Sequence, residues 1–263
     1  MPVLKRDNGA EIKYVLKSVD NALMILDVLA DARNEMSLSD IARALSISKS
    51  ATFRLMDTLI YRGFIQQDPS SKKYRLGPHL IFLGTATIGH NEPLKVIHRH
   101  LEKLAKEINE NAHYVVFDGQ EIIFLDKVES SRPAKMGSWI GAKMPAYCTG
   151  TGKALLASLP DDRLGEYLDS ATFRRYTEFT ITDRTALLSE LKNIRKCGYS
   201  VDNQEIEDGL ICIAVPIIGL NGETIGAISI SGPKARIEPN KNEILKAVKE
   251  TAVEISRNLG RRG

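Results

Sequence analysis

Four consecutive residues, Gly150-Thr151-Gly152-Lys153, combine glycine, a hydroxyl group and a cation as phosphate-binding loops do. A complete Walker A loop also needs glycine five residues before its last glycine and Ser or Thr after the lysine, but Tyr147 and Ala154 occupy those positions. The sequence therefore excludes nucleotide hydrolysis here. What remains is a glycine-bearing turn before a predicted helix over residues 150–159, whose unpaired N–H groups and positive dipole end suit a carboxylate or phosphate. A plain tight turn is the alternative.

A second set of polar residues lies further along the chain. Ser229 and Ser231 share one face of a predicted strand because strand side chains alternate, and pairing with the preceding strand brings them toward Asp202 and Cys212. Cys212 is otherwise a small core residue. The alternative for Asp202 is a solvated acidic loop, whose other members are Glu205, Glu207 and Asp208.

Near the N-terminus, residues 37–75 predict a winged helix-turn-helix for duplex DNA. Ser37 and Asp40 form a capping box, and a second helix opening at Lys49 carries an apolar stripe with helical spacing. The opposite face, which faces DNA, holds Lys49, Ser50, Phe53 and Arg54. Two short strands, 64–67 and 73–76, follow as the wing, with Lys72, Lys73 and Arg75 beside the phosphates. The alternative is a helical hairpin and a β-hairpin that serve only for packing.

The helix that begins at Ser18 has more apolar surface than a small domain readily buries. Met24, Ile25 and Val28 form a second strip beside its main stripe, which predicts a dimer contact. A wider core face is the alternative.

Composition places these features in an ordinary two-domain protein of 263 residues. Residues 1–75 hold 12 Lys and Arg against 9 Asp and Glu, which accounts for the whole net charge of +3 and makes this part the nucleic-acid-binding part. The three cysteines lie far apart, which argues against disulfides and zinc. No apolar run predicts a membrane span or signal peptide, so we expect a cytoplasmic protein.

No motif predicts an enzyme. The sequence lacks G-x-S-x-G, H-E-x-x-H and C-x-x-C, and its five histidines are predicted to be ordinary surface or core residues. We therefore expect no catalytic residue, no metal and no cofactor.

The elements predict an α+β protein in three parts: a DNA-binding domain over residues 1–77, a linker helix over 78–90 and a further domain over 91–263. In the last part, a hairpin spans residues 112–128, and a third strand spans 135–140. Further predicted elements are helices 161–168, 183–197 and 239–259 and a hairpin of strands 210–218 and 223–231 about Asn221-Gly222.

With these segments placed, the chain resembles the IclR family of bacterial transcriptional regulators over nearly its full length. The segments that carry the resemblance are Leu16-Lys17-Ser18-Val19, Ser48-Lys49-Ser50 with Arg54, Tyr74-Arg75-Leu76-Gly77, Gly141-Ala142-Lys143-Met144-Pro145, Thr149 to Ala157 and Gly209 to Pro216. The resemblance implies a winged helix-turn-helix, a linker helix and a GAF-like domain that binds a small organic acid. It also implies a homodimer or dimer of dimers on palindromic double-stranded operator DNA.

The same resemblance implies an effector pocket and a regulatory role. The pocket residues carried over by position are Met136, Gly150, Thr151, Asp202, Cys212, Ser229 and Ser231. This chain departs from the family at Ser46, where Gly is usual in the turn, and at Ala51, where Thr is common. Its finer features are most similar to repressors of pectin and uronate catabolism that sense 2-keto-3-deoxygluconate, so we expect a repressor of a catabolic operon. The alternatives are an enzyme acting on a small organic acid with an accessory DNA-binding domain, and a scaffold.

Overall fold

The computed structural model describes residues 14–32, 34–89, 92–132 and 137–260, and of Ile88 and Gly89 only the backbone. The chain forms two compact units, one within Asp7–Asn91 and one made mainly by Glu92–Gly263. The α+β fold class is confirmed. The three-part division at residues 77 and 90, and the likeness to GAF domains, stay predictions.

The first unit consists of helices and a two-stranded wing. Its elements are α1 (Lys17–Asp31), α2 (Leu38–Leu45), α3 (Lys49–Tyr61), β1 (Ile65–Gln67), β2 (Tyr74–Leu76) and α4 (His79–Gly89). The Ser37 side chain caps α2 by accepting from the Asp40 N–H, and the Ser48 side chain caps α3 by accepting from the Ala51 N–H. Ser46 ends α2 at a φ of 54°, the left-handed conformation that Gly adopts without strain.

The core of this unit corrects the predicted dimer strip. Ile25 is fully buried, with Leu29, Ile41 and Met56 in the same apolar cluster. The Met24, Ile25 and Val28 strip was predicted to contact a partner. This prediction is wrong for Ile25, its central residue, because Ile25 packs in the core of its own unit. The exposed apolar side chains of α1 and the segment before it are instead Leu16, Val19 and Leu23, together with Tyr14 and Val15.

The second unit is a six-stranded antiparallel sheet with helices on both faces. Its strands are β3 (Asn111–Asp118), β4 (Glu121–Val128), β5 (Lys143–Pro145), β6 (Ser200–Asn203), β7 (Leu210–Ile218) and β8 (Thr224–Pro233), in the spatial order β5-β4-β3-β8-β7-β6. Its helices are α5 (Glu92–Ile108), α6 (Gly150–Ser158), α7 (Asp161–Ser170), α8 (Arg184–Cys197), α9 (Lys234–Ile237) and α10 (Lys241–Asn258). Short 3₁₀ turns cover Ala146–Cys148 and Glu238–Asn240.

Alternation along the strands produces two cores. On β7, Ile211, Ile213 and Val215 join the core shared with α5 and α10. Ala214 joins the core shared with α6, α7 and α8. A residue of β7 therefore faces α6 only when its number is even, which decides where Cys212 points.

The structure differs from the predicted elements at three places. Residues 137–140 are not a strand, because Trp139 O accepts from the Ala142 N–H in a tight turn and Gly141 has a φ of 88°. The edge strand is β5 instead, and residues 135 and 136 lie outside the described residues. Strand β6 was missed because it has four residues and a polar sequence. Helix α10 begins at Lys241, two residues later than predicted.

None of the helices within the described ranges is long and apolar enough to cross a membrane.

Candidate functional site

Helix α3 presents a polar, basic face to solvent. Thr52, Met56 and Leu59 are buried on its inner side. The predicted contact residues all lie on the exposed side, and they are Lys49, Ser50, Phe53 and Arg54. Phe53 is 49% exposed, which is unusual for a large apolar side chain beside cations. The Ser48 side chain caps this helix by accepting from the Ala51 N–H, which satisfies one of the free N–H groups of its first turn.

The wing turn is held by one aspartate. Asp68 Oδ1 accepts from the backbone N–H groups of Ser70 and Ser71 at 2.9 and 2.7 Å, and these bonds with the Ser70 hydroxyl hold the pKa of Asp68 well below its usual range. The turn leaves the neighbouring Lys72 and Lys73 exposed. Lys72 and Lys73 are thus exposed as expected, and their contact with phosphates stays a prediction.

Arg75 differs from the other wing cations because an acidic residue holds it. Its Nη1 lies 3.0 Å from Glu35 Oε1, in an exposed ion pair that the Ser71 hydroxyl also contacts. Part of the charge that Arg75 would offer to a phosphate is therefore already offset.

In the second unit, the N-terminus of α6 is pressed against the sheet. The Thr149 side chain accepts from the Gly152 N–H at 3.2 Å, and Gly150 and Thr151 are buried. A Cβ on Gly150 would lie 3.0 Å from Cys212 Sγ and 3.1 Å from Cys212 O, so this close approach favours glycine. Gly150 therefore lies in the first turn of the predicted helix, and packing against β7 explains why this position is glycine.

The strand register brings the predicted polar residues together. Asp202 pairs with Cys212, Cys212 pairs with Ser231, and Ser229 lies two residues before Ser231. Directly paired residues of an antiparallel sheet project to the same side, so all four face α6. The Thr151 N–H and the Ser229 side chain both hydrogen-bond the Cys212 sulfur. The structure thus brings together six of the seven predicted effector residues, while Met136 lies outside the described residues.

A buried ion cluster lies beside these residues. Lys153 is 1% exposed, and its Nζ contacts Glu205 Oε1, Val201 O at 2.7 Å and Glu190 Oε1 at 3.3 Å. The Glu205 N–H donates to Asp202 Oδ1 at 2.7 Å. The predicted alternative, a solvated acidic loop, therefore holds for only half of its residues. Asp202 and Glu205 are buried, whereas Glu207 and Asp208 are exposed.

Burial changes the proton affinity of Asp202 and Cys212. Loss of solvent raises the pKa of Asp202 to about 7, and the Glu205 charge adds to the rise against hydrogen bonds from the Glu205 and Ile206 N–H groups. Burial and the nearby Asp202 charge raise the pKa of the Cys212 thiol to about 12. Cys212 is consequently a neutral thiol and a poor nucleophile near neutral pH.

His113 belongs to the same face and was missed as a site residue. It pairs with Ser229 in the sheet, is 2% exposed, and places its two ring nitrogens 3.3 Å from Ser231 Oγ and 3.1 Å from Ser138 Oγ. Burial, aided by the Lys127 charge, lowers its pKa to about 3, so the ring is neutral. Period two places His113 with Val115 on one face of β3, but only the long-range pairing with β8 shows what that face meets.

A cleft of about 330 Å³ opens elsewhere, beside the edge strand β6. Its polar lining includes Lys153, Glu190 and Glu205, but none of the seven predicted effector residues. Hydrogen-bonding groups from several elements converge instead on the polar face under α6. Within the part of the chain that the structure describes, no group of three His, Cys, Asp or Glu residues could hold a metal.

Two family models match separate parts of the chain. The model of the IclR helix-turn-helix domain matches residues 18–69, and the model of the bacterial transcriptional regulator IclR C-terminal domain matches residues 85–257. Together they cover both units described above.

Individual relatives match over nearly their whole length. The transcriptional regulator KdgR of Escherichia coli K12 is 32% identical over 93% of this chain and 93% of its own, and the transcriptional repressor IclR of the same organism is 30% identical over 90% and 89%. The crystal structure of the Thermotoga maritima IclR superposes with a TM-score of 0.69 at 36% identity, covering 92% of this chain and 98% of that one. The near-equal identities to KdgR and to the repressor IclR do not select one branch.

Proposed function

This chain belongs to the IclR family of bacterial transcriptional regulators and is a DNA-binding regulator rather than an enzyme, and on that premise we propose that it represses a catabolic operon under the control of a small carboxylate. The observation that carries the proposal is the α6 N-terminus buried against the polar sheet face. Operator binding would place the protein in the cytoplasm.

The DNA contact would come from α3 and the wing. Lys49 and Arg54 reach phosphates or guanine edges, and Phe53 gains an apolar partner in a thymine methyl group. Lys72 and Lys73 contact the phosphate backbone, which positions the domain without reading sequence. Arg75 acts with Glu35, which fixes the direction of its guanidinium.

The effector would bind at the Gly150-Thr151 turn, where the N-terminus of α6 meets the polar sheet face. The Thr151 N–H now donates to a thiol sulfur, a weak acceptor, and a carboxylate oxygen in that place would accept a stronger, charge-assisted bond. The helix dipole adds about 0.3 to 1 kcal/mol. Ser229 and Ser231 suit the hydroxyl or keto groups of a sugar acid such as 2-keto-3-deoxygluconate, and Cys212 with Met136 would supply the apolar wall.

Asp202 would favour acids with a single carboxylate. When ionised it repels a second carboxylate, and its oxygens accept from sugar hydroxyls. Mono-acids should therefore bind more tightly than di-acids.

Assembly would occur through the exposed apolar side chains of the first unit. Val19 and Leu23 lie four residues apart on α1, so they line one side of the helix. Ile81 and Phe82 of α4 are also largely exposed. Pairing of two copies through such a surface gives a homodimer, or a dimer of dimers, for a palindromic operator.

Calorimetry and DNA-binding titrations test the proposal together. The probes are 2-keto-3-deoxygluconate, gluconate, glyoxylate and benzoate, each titrated into the full-length protein with and without DNA from upstream of its neighbouring catabolic genes. A sugar acid should bind and change operator affinity, with a coupling of about 1 to 3 kcal/mol. Binding of benzoate alone, or turnover of any acid, would contradict the proposal.

A further inference from the structure

His113 joins the polar sheet face to a surface loop. Its Nδ1 lies 3.3 Å from Ser231 Oγ and its Nε2 lies 3.1 Å from Ser138 Oγ. Ser138 belongs to the segment 137–142, whose exposed tip carries Trp139, the single tryptophan of the chain. The imidazole therefore spans the distance between a predicted effector residue on β8 and a loop outside the sheet.

The directions of the two His113 hydrogen bonds, to Ser231 and to Ser138, depend on each other. A neutral imidazole has one N–H donor and one acceptor nitrogen, and burial beside Lys127 keeps the His113 ring neutral. If Nδ1 donates to Ser231, then Nε2 accepts from the Ser138 hydroxyl. If Nε2 carries the proton, both bonds reverse. Whether Ser231 donates to His113 or accepts from it thus fixes whether Ser138 accepts or donates.

Two hydrogen bonds hold the 137–142 loop beside His113. Lys127 Nζ holds the Ser138 carbonyl at 2.7 Å, and the Gly141 N–H donates to Phe124 O at 2.7 Å. The Phe124 and His113 rings pack in a T-shaped arrangement, with ring centroids 5.3 Å apart. With its carbonyl anchored by Lys127, the Ser138 side chain has the His113 ring within hydrogen-bond reach.

We infer that His113 transmits the hydrogen-bonding state of Ser231 to the loop at Ser138 and Trp139. The inference rests on the proposed function in that Ser231 faces the effector. A carboxylate or keto oxygen would take the Ser231 proton as its hydrogen-bond donor, so Ser231 Oγ accepts from His113 Nδ1–H and Ser138 donates to Nε2. With the Ser231 hydroxyl donating to the effector, the direction of both His113 hydrogen bonds is fixed, including the bond that holds Ser138 in the loop.

The first test needs no effector. Amide hydrogen exchange of residues 137–142 is measured by mass spectrometry on the full-length wild type and on Ser138→Ala, Ser231→Ala and Ser229→Ala. Ser138→Ala removes the hydrogen bond between His113 and the loop, and Ser231→Ala removes the hydrogen bond between His113 and strand β8. Both should accelerate exchange by about 5-fold, the factor for one neutral hydrogen bond. Ser229→Ala is the matched control, because Ser229 lies on the same face but bonds Cys212.

A fourth variant separates transmission from general loosening. His113→Phe keeps a ring of similar size without nitrogens, and Ser231→Ala should add nothing to loop exchange in that background. Equal effects of Ser231→Ala and Ser229→Ala, or full additivity with His113→Phe, would overturn the inference. If His113→Phe does not fold, the comparison of the three alanine variants still decides.

The second test uses the sugar acids named above. Binding should slow loop exchange and change Trp139 fluorescence in the wild type, and Ser138→Ala should bind the acid without the fluorescence change. Failure of every acid to bind would count against the proposed function alone, since the effector-free comparison decides the inference. An unchanged Trp139 response in Ser138→Ala would overturn the inference and leave the proposed function standing.

Discussion

The backbone N–H of Glu205 donates to the Asp202 carboxylate at 2.7 Å, although the side chains of these two buried residues repel each other electrostatically. Lys153 supplies one buried ammonium for the two carboxylates, and it bonds Glu205 directly. Burial raises the pKa of both carboxylates, that of Asp202 to about 7, and the bond from Lys153 opposes the rise at Glu205. This relationship makes both stability and effector binding depend on pH.

The first prediction concerns stability against pH. The pKa of Asp202 is raised in the folded protein, to about 7 from 3.8, so the folded state binds the proton more tightly than the unfolded state does. The stabilisation is fully present below pH 3.8 and is lost as pH rises to 7. The slope has an upper limit of about 1.4 kcal/mol per pH unit within that window. Asp202→Asn should flatten the curve of melting temperature between pH 5 and 7.5, whereas Asp208→Asn, at an exposed position, should not.

The same proton should couple to effector binding. A carboxylate effector placed near Asp202 favours the neutral form of Asp202, so affinity should fall as pH rises from 6 to 8. Calorimetry in two buffers of different ionisation enthalpy would show proton uptake on binding. Asp202→Asn should remove both effects, and a pH-independent affinity in the wild type would refute the coupling.

The second prediction concerns Lys153. Lys153→Met removes the only ammonium bonded to Glu205 among the described residues and leaves a buried carboxylate uncompensated, at a cost of about 3 to 5 kcal/mol. Chemical denaturation measures the loss. Lys192→Met, at an exposed position of α8, is the control and should stay within about 0.5 kcal/mol of the wild type. A second substitution, Glu205→Gln, should recover part of the loss, and strict additivity would contradict the ion pair's role.

The third prediction compares two glycines in neighbouring helices. A Cβ at Gly150 would lie 3.0 Å from Cys212 Sγ and 3.1 Å from Cys212 O, so Gly150→Ala should cost about 1 to 3 kcal/mol by overpacking. Nothing lies within 4 Å of the corresponding position at Gly165 in α7, so Gly165→Ala should stabilise by about 0.5 to 1 kcal/mol. The free energy of unfolding measures both. If the two substitutions change the free energy of unfolding equally, α6 is not packed tightly against β7.

Local signals in the sequence predicted much of this fold. Ser37 caps its helix as the predicted capping box indicates, and the hairpin about Asn221-Gly222 forms. These features depend on residues three or four positions apart or on a two-residue turn, so the sequence contains all that determines them. The exposed face of α3 followed for the same reason.

The site could be predicted only in part. Ser229 and Ser231 share a face by alternation alone, but the pairing of Asp202 with Cys212 depends on β6, which is too short and polar to stand out. Ile25 was misplaced because an apolar stripe does not tell a core from a partner. His113 gains its role from Ser138 and Ser231, which are 25 and 118 residues away along the chain.

The fourth prediction concerns assembly. If the exposed apolar side of α1 covers a second copy, Leu23→Asp should lower the oligomer mass and weaken operator binding, since a charge would be buried without a partner. Leu220→Asp is the control, because Leu220 is similarly exposed, 61% against 55%, but lies in the other unit. Sedimentation velocity gives the mass. An unchanged mass and operator affinity for Leu23→Asp would show that this surface is ordinary exposed surface.

The last prediction separates sequence reading from phosphate binding. Arg54 lies on the exposed face of α3, so Arg54→Ala should reduce the preference for the operator over mismatched sites by about 1 to 3 kcal/mol at the contacted base pair. Lys73 lies in the wing, so Lys73→Ala should weaken all duplexes alike and lower the slope of log affinity against log salt by about 1. Lys246→Ala, at an exposed lysine of α10, should change neither quantity. Fluorescence anisotropy at several salt concentrations measures both. If both variants lose the same affinity on every sequence, the division between a reading helix and a positioning wing is wrong.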